Sequence, residues 1–183
     1  MDEFEEQQRM AMAVLEPHFA TLTDIYKSAI DLYNEGTSAR VRAEHDSRAA
    51  LNSIYALAWK GYEREFGEMP GLHLLNMRGL KVLNIADMVV ARAKRVDANG
   101  RHVQNMTPQQ RTFDRQLPLT GLPPAAVRLV IGYELDPAYS TVERVIVRHT
   151  QGAWVSQIVS VDEAYHWEDI TPVRLPLQGG VRG

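Results

Sequence analysis

"VRLVIGYELDPAYSTVERVIVRHTQGAWVSQIVSV", residues 127–161, is the stretch that decides the fold class. It holds short apolar runs rich in valine and isoleucine, which predict strands over 127–135, 142–149 and 154–161. Asp136-Pro137-Ala138-Tyr139-Ser140 joins the first run to the second, and Thr150-Gln151-Gly152 joins the second to the third. Connections this short suit hairpins, so the runs read as an antiparallel meander.

Working back toward the N-terminus, the same grammar predicts strands over 80–85 and 88–96, which brings the sheet to about five. Between 96 and 127, Thr107-Pro108-Gln109-Gln110 carries the marks of a helix start: a threonine cap, proline at the first position and glutamine three after the cap. A short helix to about Gln116 is expected, and "LPLTGLPPAA" then reads as a proline-rich crossover. The tail from Asp162 reads as irregular, with "LQGGVRG" fraying.

Before residue 71 the period is that of a helix. Leu15, Phe19, Leu22, Tyr26, Ala29 and Tyr33 recur at alternating steps of four and three, with a kink or restart expected at Pro17. Gly36 breaks the pattern, Thr37 or Ser38 can cap the next helix, and that helix is expected to run to about Phe66. Its first half has only Val41 as an aliphatic residue of note, so it reads as solvated or used by a partner, whereas Leu51, Ile54, Tyr55, Ala58 and Tyr62 form a stripe on the second half. The fold class is therefore α+β: a long N-terminal helical hairpin, residues 1–68, followed by a mainly antiparallel sheet with one short helix inserted, residues 69–183, as one folding unit.

The 183 residues, 45% hydrophobic and 23% charged, are those of a globular chain able to bury a core. With no cysteine, disulfides, thiolate nucleophiles and cysteine-held zinc are excluded. The start "MDEFEEQQRM" is acidic before it is apolar, unlike a secretory signal, and no apolar run reaches the ~20 residues of a membrane span, so a cytoplasmic location is expected.

Charge is segregated. Residues 1–71 hold 7 Lys/Arg against 13 Asp/Glu, residues 72–116 hold 8 against 3, and residues 117–183 hold 5 against 7. In the basic island, Arg92 and Lys94 share one face of the 88–96 strand and Arg95 lies on the other. Arg92, Lys94, Arg95 and Arg101, with Asn99, Gln104 and Asn105 as polar neighbours, form a candidate face for a phosphate backbone. The competing reading makes them a solvated sheet face, or partners of Glu134 and Glu143 on neighbouring strands. Nucleic-acid binding wants exposed aromatics beside the charge, and this island holds only Phe113.

His18, His45, His73, His102, His149 and His166 are scattered, none at the i, i+4 spacing of a helical metal site, so no metal or cofactor is expected. Glu134, Asp136 and Glu143 near His149 form the best enzymatic constellation, a metal-dependent hydrolase or nuclease. A restriction-type nuclease would want a lysine just beyond the glutamate, and Glu143 is followed by Arg144 and Val145. Trp154 and Trp167 read as core-edge residues, or as anchors of a protein interface.

Residues 78–136 carry a basic step Lys94-Arg95-Val96-Asp97, then Asn105, Thr107-Pro108, a glutamine-rich short helix and the pair Gly132-Tyr133. In this the stretch resembles a class of small uncharacterised bacterial proteins found in prophage, phage-defence or toxin-antitoxin gene clusters. The resemblance implies a partner-dependent regulatory role and no reaction, and it adds Asn105 and Tyr133 to the candidate binding residues. Together these readings predict a macromolecule-binding regulatory protein. Its expected partner is a protein, or a second copy met through the N-terminal helices, with nucleic acid as the alternative and no membrane.

Overall fold

The computed structural model describes residues 2–97, 101 and 106–172. Asn99, His102, Gln104, Asn105 and the "LQGGVRG" tail lie outside these residues. Among them, one sheet runs in sequence order: β1 (Leu72–Met77), β2 (Leu80–Ile85), β3 (Val89–Arg95), β4 (Val127–Leu135), β5 (Val142–His149), β6 (Val155–Val161) and β7 (Ala164–Asp169). Every neighbouring pair is antiparallel except β3 and β4. That parallel step requires a crossover, supplied by α5 (Pro108–Asp114) and the proline-rich stretch after it. The capping box is formed as expected, with Thr107 Oγ accepting from the Gln110 N–H and the Gln110 side chain accepting from the Thr107 N–H.

The sheet has seven strands, which corrects the expected five. The strands missed are β1 and β7, and the latter replaces an irregular tail. Both belong to hairpins whose turns place non-glycine residues in the left-handed region: Arg78 (φ 53) before Gly79 (φ 86), and Asp162 (φ 49) with Glu163 (φ 66). Turns of this hand normally announce themselves as Asn-Gly or Asp-Gly. Here pairing of the flanking strands holds Arg78 and Glu163 in a conformation that they would not choose alone.

The helical layer comprises α1 (Glu3–Leu15), a 3-10 turn containing Pro17 (Glu16–His18), α2 (Phe19–Gly36), α3 (Ala39–Glu44) and α4 (Ser47–Phe66). The expected second long helix is divided, because the Asp46 carboxylate accepts the Ala49 N–H at 2.7 Å and starts α4 afresh. α2 and α4 pack closely where Gly61 faces Ile25, since a Cβ there would lie 2.9 Å from Ile25 Cγ2.

One core joins this layer to the sheet. Phe19, Leu22, Tyr26, Ile54 and Tyr62 from the helices meet Ala91, Ala93, Leu129, Ile131, Tyr133 and Val147 from the strands. The opposite face has its own cover, since Phe113 of α5 and Leu122 bury Leu80, Val82 and Val90. Burying a phenylalanine fully is worth about 1.5–3 kcal/mol, so Phe113 is the apolar anchor of the crossover. No helix among the described residues is long and apolar enough to cross a membrane.

Candidate functional site

β3 alternates as its sequence requires, with Val89, Ala91 and Ala93 facing the helices and Val90, Arg92 and Lys94 facing away. The side facing away is where α5 lies, and this decides the fate of Arg92. Its Nη1 donates to Asp114 Oδ1 at 3.1 Å and to the Gln110 carbonyl at 3.4 Å, and the side chain is 2% exposed. Arg128, one strand over, donates to the carbonyls of Thr112, Phe113 and Leu117 at the end of α5, where a cation complements the helix dipole. The Phe113 ring lies 5.6 Å from the Arg92 guanidinium and 5.5 Å from that of Arg128. These two cations therefore hold a helix onto the sheet. Glu134 and Glu143 are not their partners: Glu134 binds Arg144 Nε at 2.6 Å, and Glu143 is exposed.

Further along the same face the charge is less balanced. In register, Arg92 and Arg148 flank Val130, while Lys94 lies beside Gly132. Lys94 feels both Arg92 and Asp114, and Arg148 feels Arg101, Asp97 and Asp114. Arg101 is exposed and closes a turn with Asp97, donating its N–H to Asp97 Oδ1 at 2.8 Å and accepting the Asp97 N–H at 3.0 Å. Arg148 packs over Gly152, where a Cβ would lie 2.9 Å from Nη2. Burial, and next the charge of Arg92, brings the Lys94 ammonium down to about 8 against the pull of Asp114. Burial, then Arg101, lowers Arg148 in the same way. Arg92 Nη2 is buried and has no hydrogen-bond partner among the described residues.

The result is a cluster in which Arg92, Lys94, Arg101 and Arg148 outnumber Asp97 and Asp114. Its strand members lie along the second half of β3 and the middle of β4, level with Val130 and Gly132, on the face away from the N-terminal helices.

The other candidates are dispersed. Arg95 lies on the helix side of β3, with its guanidinium 5.6 Å from the Tyr139 ring. Tyr133 is 1% exposed and stacks on Tyr26 at 4.6 Å, a core residue whose hydroxyl burial pushes above its usual range. Asn105 is outside the described residues. Arg128, Arg148, Asp97 and Asp114 were not among the expected site residues. The clue to Arg128 and Arg148 was each cation's phase in its strand, opposite to that of the core residues Leu129, Ile131, Val145 and Val147.

The enzymatic constellation is not assembled. The Asp136 carboxylate is spent on its own turn, accepting from Ala138, Ser140 and Thr141, and this holds it below the usual carboxylate range. His149 ends β5 at the opposite end from Glu143, roughly 20 Å along the strand at ~3.3 Å per residue. Its neighbours are the Phe4 and Trp154 rings. Among the described residues no group of three or more His, Asp or Glu could hold a metal ion. Trp154 is buried at the core edge, its indole N–H donating to Gln7. No family model, no curated protein and no solved structure matches the chain.

Proposed function

We propose that this is a macromolecule-binding regulatory protein that receives an acidic group of a partner protein at the basic face of the β3–β4 pair. The observation that carries this reading is a convergence of cations: Arg92 and Arg148 flank Val130 in register, Lys94 follows Arg92 on the same face of β3, and the charge of Arg101 reaches Arg148. An anion placed there relieves the mutual repulsion of Lys94, Arg92, Arg148 and Arg101. The regulatory part rests on the resemblance of residues 78–136 to proteins of prophage and defence gene clusters. Nucleic acid is the weaker candidate, since Phe113, the one aromatic residue of the basic island, is buried and among the described residues leaves no ring beside these cations for a base to stack on.

Titration calorimetry with a glutamate-rich peptide and with a single-stranded oligonucleotide tests the reading. The peptide is expected to bind, more weakly as salt rises, and Arg101→Ala with Lys94→Ala should weaken it by roughly tenfold or more, the worth of one charged hydrogen bond. Unchanged affinity in the double variant, no binding of the peptide, or tighter binding of the oligonucleotide would each sink it.

A further inference from the structure

β1 ends the strand order and pairs only with β2 among the described strands. Met77 and Leu80 flank a two-residue turn, which makes them a hydrogen-bonded pair, and the alternation then runs through Leu75–Val82 and His73–Asn84. Leu72, Leu74 and Asn76 consequently turn their backbone groups outward. The Leu72 N–H is taken by the Met69 carbonyl at 3.2 Å. The N–H groups of Leu74 and Asn76 face the open edge.

Natural sheets guard such an edge with charge, proline or a bulge. The opposite edge strand, β7, carries Glu168 and Asp169. β1 reads Leu-His-Leu-Leu-Asn-Met, without a charged residue or a proline, and its register with β2 is unbroken. Each face has half-buried side chains beside an exposed one, His73 or Asn76: Leu74 packs on the main core, and Leu75 and Met77 pack on the cluster under α5. A strand added here would extend both cores at once.

We infer that the β1 edge pairs with the β1 edge of a second copy of this chain, antiparallel and two-fold symmetric. An uncharged, alternating strand is complementary to itself in that arrangement, with no like charges brought opposite along it. The strand's two ends add to the match, because an antiparallel mate carries Arg78 of one copy toward Glu68 of the other, and both residues are exposed. A single strand pair buries an area at the low end of stable interfaces, below about 1,200 Å², the size class of weak and transient contacts, so a reversible dimer is expected.

Sedimentation equilibrium of the full chain across concentration, with amide hydrogen exchange read at Leu74 and Asn76, tests the pairing. A reversible monomer–dimer equilibrium is expected, with both amides slowing as the dimer forms. Asn76→Pro removes an outward N–H together with the side chain whose Oδ1 accepts the Gly79 N–H at 3.1 Å in the turn, and Asn76→Glu keeps the backbone N–H while placing a charge on the edge beside Lys81, its cross-strand neighbour. Each should weaken the dimer by about tenfold or more; if the proline variant fails to fold, the glutamate variant decides. A chain that stays monomeric at roughly a hundred micromolar, or a dimer indifferent to Asn76→Glu, would overturn the inference. So would edge amides protected only by an unrelated extended peptide.

Discussion

Arg92 and Asp114 meet beneath α5 at 3.1 Å, with 2% and 11% of their side chains exposed, so the strand's most buried cation is the anchor of the helix that covers it. Removing one member of a buried pair strands the other charge, and Asp114→Ala is expected to cost about 3–5 kcal/mol. Replacing both, with Arg92→Met and Asp114→Leu, should recover most of that loss. Urea denaturation of the two variants checks this; equal losses would mean that α5 is held by Phe113 and Arg128 alone.

The Tyr26 hydroxyl donates to the Ile131 carbonyl at 2.8 Å and so accepts from Tyr62 at 2.7 Å. Tyr26→Phe leaves the Tyr62 hydroxyl buried without this partner, and about 1–3 kcal/mol of stability should go with it. Tyr62→Phe spares the bond to Ile131 and should cost less. Burial raises the pKa of Tyr26, Tyr62 and Tyr133 above the usual tyrosine value. The unfolded chain loses these protons near pH 10 and the folded chain does not. Stability is therefore present below about pH 10 and falls as the pH rises beyond it, a loss that Tyr62→Phe should reduce.

His149 accepts the Gln151 N–H at Nδ1, at 3.3 Å, and burial followed by the charge of Arg148 lowers its affinity for a proton. Below about pH 6.5 the unfolded chain takes up a proton that the folded chain resists. The His149 contribution is thus complete above that pH and lost as the pH falls. Thermal melts of His149→Gln should show a shallower decline between neutral pH and pH 5 than the parent; an identical decline would count against it.

Gly132 lies under Val96, where an added Cβ would come within 2.6 Å of Val96 Cγ1. Gly132→Ala should cost about 1–3 kcal/mol through overpacking. Val96→Ala in the same chain should restore part of it, since the clash is with that side chain. A double variant no more stable than Gly132→Ala alone would place the conflict elsewhere.

Much of this architecture was legible residue by residue. The helix seam through Leu15, Phe19, Leu22 and Tyr26 is the buried face of the observed layer, and the Thr107 capping box is where its spacing put it. β1 and β7 escaped notice because neither Arg78-Gly79 nor Asp162-Glu163 is the Asn-Gly or Asp-Gly pair that announces a two-residue hairpin, although both turns hold positive φ. The site followed the same division. Alternation along β3 assigned Arg92 and Lys94 to one face, whereas Arg148, which shares the Val130 row, stands 56 residues from Arg92 in the chain.

Period, caps and charge segregation are local quantities, so the sequence by itself determined the α+β class, the helical N-terminus and the basic phase of β3. Which carboxylate answers Arg92, and which face of β3 looks toward α5, depended on how the crossover between the parallel strands folds back. The tertiary structure alone could decide this, because the pairing of Arg92 with Asp114 is set by the packing of Phe113 over that face, at a separation along the chain where local propensity has no hold.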